Sequence, residues 1–388
     1  MSDYKLKPEF DADKFISRYW QKEPVLLSSL IPGFADPLSA EELAGLACEE
    51  LVESRLVTEF EQDNYLLRNG PFAEADFTRL PSSNWTLLVQ AVDQWVDEIA
   101  DLKRLFEFIP NWRIDDIMTS FAASGGSVGP HYDYYDVFLL QGSGRRNWKV
   151  GQRCDSSAEL IPNSELSLLK DFNATMEFDL EAGDALYIPP RFAHWGVATS
   201  DSLCYSIGFR APSMAEMIEG FSDFIIKDQD PAQRYEDGEI EADLRSGEIR
   251  PSLLDGSYRQ LLEKFSEKDK FVAWFGCYVS QPKYPELIEP VEEEFTAVGL
   301  TSLRRAGVIL RKNPSSRFAF IESVREASVL LFVDGAMVRF PVEQVENITT
   351  LCDSVEFTLD SSSRLLSDPA MAELLRQLLN QGSLLASE

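Results

Sequence analysis

The sequence has few histidines and no closely spaced cysteines. Only two of its 388 residues are histidine, His131 and His194, so a site that needs three imidazoles from one chain is excluded. No two of the five cysteines form a CxxC pair, which excludes a short zinc or thiol–disulfide motif. We interpret the cysteines as buried thiols in a reducing compartment.

Long apolar runs and basic residues are also scarce. The N-terminal stretch MSDYKLKPEFDADKF has charges where a signal peptide needs an apolar run, and no stretch approaches the length of a membrane span. We therefore expect a cytoplasmic protein. Acidic residues outnumber basic ones by 65 to 36, for a formal charge of -29. Such a field repels nucleic acids and anionic membranes and favours a basic partner.

The spacing of apolar residues changes along the chain and separates a helical region from a strand-rich one. Helical spacing is predicted for residues 10–20, 40–56 and 84–109, with a short strand at 25–27. Between about 114 and 210 the pattern changes to short apolar or alternating runs, which predict the strands of a barrel or sandwich. We expect two or three domains from the length alone.

A helical region and then a mixed module follow the predicted strands. Ser213 and Glu216 have capping-box spacing, and the helix after them presents one apolar face, formed by Met214, Met217, Ile218, Phe221 and Ile225. This face predicts a homodimer, the alternative being that it packs against the protein's own barrel. After a linker at 282–294, strands joined by an Asp334–Gly335 hairpin turn and helices near 343–351 and 368–380 are expected.

Both histidines lie in motifs with the spacing of metal ligands. Asp133 follows His131 by two positions in GGSVGPHYDYYD, so on an extended strand both side chains point to one face. His194 ends GDALYIPPRFAH, after an apolar strand that the proline pair terminates. Two imidazoles and one carboxylate are typical of non-haem Fe(II) oxygenases, in which open positions take a chelating co-substrate and dioxygen. We predict that these three residues bind iron, rather than serving as packed core residues.

These motifs resemble a known family. HxD followed by GDxLYIPPxxxH is similar to the cupin barrel of JmjC-type 2-oxoglutarate oxygenases. A closer resemblance, to the bacterial arginine-hydroxylase branch of the ribosomal oxygenases, is carried by FISRYWQKEPVLL, RIDDIMTSF, GGSVGPHYDYYDVFLLQGSGRRNWKVG, GDALYIPPRFAHWG and YSIGFRAP, and it covers most of residues 10–213. One departure is Arg191, at a position where cupins often have glycine.

The resemblance implies an α+β fold with three domains. A double-stranded β-helix, the cupin or JmjC barrel with flanking helices, would occupy residues 1–213. A helical dimerisation domain would follow at 214–285, and a winged-helix-like module at 286–388.

The resemblance also implies a set of binding residues. A buried guanidinium suits the distal carboxylate of 2-oxoglutarate, and the family's anchoring residue matches Arg146, with Ser120 as a hydroxyl donor. Arg146 alternates with Arg145 and Lys149 along the predicted strand and shares a face with Trp148. The alternative is a solvated basic turn.

Four further positions resemble the family's substrate pocket: Asp116, Met118, Tyr135 and Ser206. Other interpretations remain for three of them, since Met118 suits a core, Asp116 a turn and Tyr135 a barrel wall. Asp136 and Asp184 are interpreted as structural acids or as groups that orient the residues of the site without binding a ligand themselves.

The leading hypothesis is therefore a dioxygenase that uses Fe(II), 2-oxoglutarate and dioxygen to hydroxylate an arginine side chain of a large-subunit ribosomal protein, the sixteenth. One alternative is a metal-binding cupin that regulates transcription through its C-terminal module. Residues 301–388 hold nine basic and eleven acidic residues, however, without the cationic excess of a DNA reader. Another alternative is a JmjC-type demethylase, which would differ in its substrate and not in its iron site.

Overall fold

The computed structural model describes residues 4–61, 64–162, 165–235, 245–323, 326–359, 365 and 368–386. The chain forms an N-terminal unit that ends at Ala211 and a C-terminal unit that begins at Pro212. The boundary predicted after residue 213 thus lies two residues from the observed one. The further boundary predicted at 285 falls within the C-terminal unit and stays a prediction.

Short helices and longer strands make up the N-terminal unit. The helices are α1 (Ala12–Arg18), α2 (Ala40–Leu46), α3 (Glu74–Phe77) and α4 (Asp97–Ala100), with 3-10 turns at Val92–Gln94, Asp101–Phe106 and Asn111–Arg113. The strands are β1 (Val25–Leu27), β2 (Ser54–Glu61), β3 (Asn64–Asn69), β4 (Trp85–Val89), β5 (Ile114–Ala122), β6 (Val137–Gln141), β7 (Arg146–Arg153), β8 (Met176–Leu180), β9 (Ala185–Ile188), β10 (Phe192–Ala198) and β11 (Ser202–Phe209).

The strands of the N-terminal unit form two antiparallel sheets. The larger has the order β1-β9-β6-β11-β5-β4-β2-β3, and the smaller has the order β10-β7-β8. The two sheets face each other, because Arg146 on β7 hydrogen-bonds to Ser120 on β5 and Ser202 on β11. This arrangement confirms the predicted double-stranded β-helix.

Two of the predicted helices are wrong in whole or in part. Within 40–56 only α2 is helical, and strand β2 begins at Ser54. Within 84–109 the chain starts with strand β4, in which Leu87 and Leu88 are both buried although they point to opposite faces. A strand buried on both faces does not alternate between apolar and polar residues, so its pattern resembles that of a buried helix.

Apolar packing covers the back of the larger sheet and fills part of the barrel. Phe15 of α1 contacts the rings of Phe138 and Tyr187 behind the sheet. Inside the barrel, Trp148 and Val150 of the smaller sheet pack with apolar residues of the larger sheet: Val137, Leu139, Leu186, Ile188 and Cys204. Apolar contacts between the two sheets therefore stabilise this part of the barrel interior.

The C-terminal unit combines helices with two small sheets. Its helices are α5 (Met214–Lys227), α6 (Pro251–Phe265), α7 (Lys268–Val279), α8 (Ala297–Ala306), α9 (Val345–Asp353) and α10 (Pro369–Asn380), with 3-10 turns at Pro285–Leu287 and Val342–Gln344. Its strands are β12 (Ile309–Lys312), β13 (Phe318–Ser323), β14 (Ser328–Val333), β15 (Ala336–Pro341), β16 (Glu356–Thr358) and β17 (Leu384–Ala386), in the sheets β16-β12-β17 and β13-β14-β15.

Two local predictions for this unit hold. The Ser213–Glu216 capping box is present at the start of α5, and Asp334 and Gly335 turn between β14 and β15 with positive φ angles, as a two-residue hairpin requires. Among the described residues, no helix is both long and apolar enough to cross a membrane.

The predicted apolar face of α5 is divided between interior and surface. Phe221 and Ile225 are buried against Trp274 of α7, so this half packs within the C-terminal unit. Met214 and Ile218, in contrast, are 68% and 54% exposed. The part of the face available to another molecule is thus smaller than the sequence suggests.

Candidate active site

Three predicted metal ligands converge at one point of the barrel. One ligand atom from each of His131, Asp133 and His194 lies within 4.8 Å of the other two. The Nε2 atom of His194 is 3.6 Å from a carboxylate oxygen of Asp133, and the two imidazole ring centroids are 4.3 Å apart. The chain therefore brings a two-histidine, one-carboxylate donor set together, as its motifs predict.

The backbone holds the two histidines side by side. His131 and His194 form a β-bridge in which each backbone N–H donates to the other's carbonyl, at 3.1 and 2.8 Å. The Nδ1–H of His131 donates to the carbonyl of Gly129, and that of His194 to the carbonyl of Phe192. Since a carbonyl only accepts, both rings carry their proton on Nδ1, which leaves Nε2 as a lone-pair donor for a metal.

The protonation state of His194 also suits metal binding. Burial lowers its pKa to about 4, and the neighbouring His131 acts in the same direction. A neutral imidazole at neutral pH keeps the lone pair that a metal ligand needs.

A turn with unusual backbone geometry supports Asp133. Arg191 has a φ of 72°, in the left-handed region that favours glycine, and its N–H donates to the carbonyl of Asp133 at 2.6 Å. The position at which cupins often have glycine thus keeps its conformation with an arginine, at the cost of backbone strain.

Arg146 is buried on the interior face of β7. Its guanidinium donates to the hydroxyl and carbonyl of Ser120 and to the hydroxyl and carbonyl of Ser202, at 2.9 to 3.1 Å. No acidic side chain in the described part of the chain forms an ion pair with it, and burial lowers its pKa. A buried cation without a carboxylate partner is costly, and an anionic ligand would compensate it.

The neighbouring basic residues point away from the interior. Arg145 forms an exposed ion pair with Glu181 at 2.8 Å, and the Lys149 ammonium lies 5.7 Å from the ring centroid of Trp195. The predicted strand register is therefore correct, and Arg146 is the basic residue of this segment that faces the barrel.

The predicted substrate-pocket residues lie on three elements of the barrel. Asp116 and Met118 share the interior-facing side of β5 with Ser120, and Ser206 is paired with Met118 across β11. Tyr135 lies in the loop after Asp133, and its side chain is 42% exposed; desolvation of its hydroxyl and then the charge of Asp133 raise the pKa of the tyrosine. The structure thus places all four on the same side of the barrel wall or at its rim.

Sequence reasoning missed two polar residues beside Asp116. Gln90, just after β4, donates from Nε2 to the Asp116 carboxylate at 2.7 Å, and Arg55 on β2 donates to Gln90 at 3.5 Å. Arg55 also approaches the sulfur of Met118, at 3.8 Å. Recognising β4 as a strand would have revealed Gln90, because the residue follows a strand that pairs with β5.

Two further acids have structural partners, as expected. Asp136 accepts hydrogen bonds from Gln21, Arg113 and Tyr187 behind the larger sheet. Asp184 accepts from the backbone N–H groups of Ser29 and Glu181 at a turn. Neither belongs to the site.

Comparison with known proteins agrees with this geometry. Residues 101–217 match the JmjC domain family, and residues 260–385 match the ROXA-like winged helix family. The chain is 35% identical to the ribosomal protein uL16 3-hydroxylase of Escherichia coli, over 95% of each chain. This chain belongs to the ribosomal oxygenase family.

Other members of this family support the assignment. A probable ribosomal oxygenase of Haemophilus influenzae is 36% identical over 74% of this chain and 73% of its own length. The solved structure of YcfD, a ribosomal oxygenase from E. coli, in complex with cobalt and 2-oxoglutarate, has a TM-score of 0.86 and 33% identity and covers all of both chains. The predicted family, oxygenase class and barrel are confirmed.

The donor set fits the metal and co-substrate of a ribosomal oxygenase. Two imidazoles and one carboxylate suit Fe(II) and leave coordination positions open. The buried, carboxylate-free guanidinium of Arg146 suits a dicarboxylic acid such as 2-oxoglutarate.

Proposed function

We propose that this ribosomal oxygenase uses Fe(II), 2-oxoglutarate and dioxygen to hydroxylate an arginine of ribosomal protein uL16, at the third carbon of the residue. One observation carries the proposal: the interior of a single barrel contains a two-histidine, one-carboxylate cluster and a buried guanidinium that forms no ion pair with any acidic side chain in the described ranges. The uL16 3-hydroxylase named in E. coli supports the choice of substrate and position.

In the proposed mechanism, residues of this chain bind the metal and orient the co-substrate. His131, Asp133 and His194 would hold Fe(II), which when bound supplies the redox chemistry that couples oxidation of 2-oxoglutarate to succinate with oxygen insertion. The Nδ1 hydrogen bonds fix both imidazole rings before the metal arrives. Arg146 and Ser120 would bind the distal carboxylate and so orient the co-substrate.

The substrate pocket would recognise a cation. Asp116 supplies a carboxylate for a guanidinium, and its orientation is set by the hydrogen bond from Gln90. Tyr135 would supply an aromatic wall for the side chain's stem, and Met118 and Ser206, which are paired between β5 and β11, would line the pocket. The formal charge of -29 favours encounter with a strongly basic protein.

The test is to incubate the protein with Fe(II), 2-oxoglutarate and purified uL16 in air, then to locate added oxygen by tandem mass spectrometry. We expect one oxygen atom on an arginine of uL16, with stoichiometric succinate. A His194→Ala variant is the control. Succinate without modified uL16 would reject the substrate, whereas loss of methyl groups as formaldehyde from a methylated protein would favour a demethylase.

We also propose that the protein is a homodimer formed through α5 and α6. Helix α5 exposes Met214 and Ile218. Helix α6 also exposes large apolar side chains: Leu254, Tyr258, Leu261, Leu262 and Phe265. Apolar surface of this kind marks an association site. Light scattering at micromolar concentration should give about twice the 43.8 kDa of one chain. A mass of one chain would reject the dimer.

The expected location follows from the substrate. Ribosomal proteins meet modifying enzymes where ribosomes assemble, so we assign the activity to the cytoplasm. Fractionation of cells should recover hydroxylase activity in the cytosolic fraction, and recovery in the membrane fraction would contradict this assignment.

A further inference from the structure

Trp148 has a polar atom inside the barrel that nothing in the described chain satisfies. The residue is 6% exposed, and its indole Nε1 has no hydrogen-bond partner among the described residues. An indole N–H is only a donor, and a buried donor without an acceptor costs free energy that native proteins usually avoid. An acceptor from a bound ligand would satisfy this donor.

The position of Trp148 points to the co-substrate. Strand β7 places Arg146, Trp148 and Val150 on the same face, two residues apart. Val150 is paired with His194 on the neighbouring strand, so Trp148 lies between the buried guanidinium and the metal ligands. Its ring centroid is 6.1 Å from that of His194.

Gly196 fixes the indole ring in this position. The glycine is paired with Trp148 across β10 and β7, and a Cβ atom there would lie 2.6 to 2.7 Å from three carbons of the indole's six-membered ring. The absence of a side chain at residue 196 thus lets the benzene edge lie against the backbone. A fixed ring has a fixed N–H direction, which is preorganisation of a donor.

Apolar side chains surround Trp148, and the polar side chains of the same interior include Ser120, Ser202 and the buried Gln141. Its packing partners are apolar, among them Leu139, Leu186 and Cys204. Ser120 and Ser202 are already engaged with Arg146. A charged oxygen brought into this environment gains much from one additional donor, because the local dielectric is low.

We propose that the Trp148 Nε1–H donates a hydrogen bond to the 2-oxo acid end of the co-substrate, as a positioning residue. This inference rests on the proposed use of 2-oxoglutarate. Arg146 would hold the distal carboxylate, and Trp148 would orient the end that chelates the metal. The two residues together would select a dicarboxylic 2-oxo acid over a shorter acid.

The experiment measures co-substrate binding to cobalt-loaded protein by calorimetry, without turnover. Trp148→Phe keeps the aromatic ring and removes the donor, so the dissociation constant for 2-oxoglutarate should rise about tenfold, as expected for one hydrogen bond to a charged group. Cobalt affinity should be unchanged. The control is Trp195→Phe, which removes an indole N–H that already donates to Ser127; it should leave 2-oxoglutarate affinity unchanged.

Ligand analogues identify the end of the co-substrate that is bound. With 2-oxobutyrate, which lacks the distal carboxylate, the effect of Trp148→Phe should persist, whereas with glutarate, which lacks the 2-oxo group, it should shrink. Equal affinity of Trp148→Phe and wild-type protein for 2-oxoglutarate would overturn the proposal and leave a water as the partner. A wild-type protein that fails to bind 2-oxoglutarate at all would instead reject the proposed function.

Discussion

The N-terminal unit buries polar and ionisable side chains, whereas the C-terminal unit exposes large apolar side chains. Arg146, Asp116 and His194 are buried in the barrel, while helices α5 and α6 expose residues such as Met214 and Tyr258. Both arrangements are unusual, because ionisable side chains are ordinarily exposed and large apolar side chains are ordinarily buried. The comparison teaches that the first unit buries polar groups where the candidate site needs them, and that the second exposes apolar surface which the proposed dimer would cover.

The buried polar groups around the candidate site are held by hydrogen bonds, whereas the buried Asp136 behind the larger sheet also forms an ion pair with Arg113 at 3.3 Å. Arg146 makes four hydrogen bonds to two serines, and the two imidazoles donate to backbone carbonyls. These contacts fix geometry while leaving Nε2 atoms and positive charge available. The C-terminal unit has a large apolar cluster that includes Leu310, Leu331 and Leu375, and its buried polar side chains, such as Asn313 and Ser383, are uncharged.

The largest expected effect comes from removing a metal ligand. His194→Ala should abolish Fe(II)-dependent succinate formation, because two donors cannot hold the metal in the same geometry. Asp133→Glu should lose most activity, since one extra methylene displaces the carboxylate. Succinate assays with circular dichroism as a folding control test this. Full turnover by His194→Ala would show that the buried cluster is structural.

Substitution of Arg146 should be next in size. Arg146→Ala should weaken 2-oxoglutarate binding by a factor of tens or more, and Arg146→Lys by less, because lysine keeps the charge without the planar fork. Anaerobic titration of the iron-loaded protein, followed by its metal-to-ligand charge-transfer band, measures both. Arg145→Ala is the matched control; if it weakened binding instead, the anchor would lie on the other face of β7.

A smaller effect is expected at Gln90, which orients Asp116. Gln90→Ala should raise KM for the protein substrate by about tenfold, the equivalent of one hydrogen bond to a charged group, while kcat and 2-oxoglutarate affinity change little. Steady-state kinetics with uL16 test this. An equal loss in 2-oxoglutarate affinity would place the Asp116–Gln90 pair at the co-substrate rather than at the substrate.

The exposed apolar surface of the C-terminal unit permits a separate test. A Tyr258→Glu, Leu261→Glu variant should weaken association by about 2 to 4 kcal/mol, as charges in a desolvated interface do. Sedimentation should then report single chains, while 2-oxoglutarate affinity stays unchanged. Met337→Glu, at an exposed apolar residue of β15, is the control. A dimer that survives the double substitution would place the interface elsewhere.

The smallest effect is expected on the outer face of the barrel. Arg145 and Glu181 form an ion pair in which both side chains are well exposed. Arg145→Ala should change the free energy of unfolding by less than about 0.5 kcal/mol. Urea denaturation measures this, and a loss of several kcal/mol would mean that exterior charges contribute to the barrel as much as interior ones.

Most of the iron site could be predicted because its evidence is local. Asp133 follows His131 by two residues, and His194 is the one other histidine of the chain. The side of β7 on which Arg146 lies could also be predicted, because side chains alternate between the two faces of a strand. Arg145 and Lys149 are an odd number of residues away from Arg146 and so lie on the opposite face. Gln90 and Arg55 could not, because strand β4 is buried on both faces and resembles a helix in sequence.

By itself the sequence determined the family, the three candidate metal ligands, the acidic character of the protein and the presence of a strand-rich region before a helical one. These properties depend on residue identity and short-range periodicity. Only the tertiary structure decided that, among the described residues, Arg146 has no carboxylate partner and the Trp148 indole N–H has no acceptor, and that half of the α5 face is buried against Trp274. Each of these depends on which distant segments meet, and pairing across a barrel is set by long-range packing that no local pattern encodes.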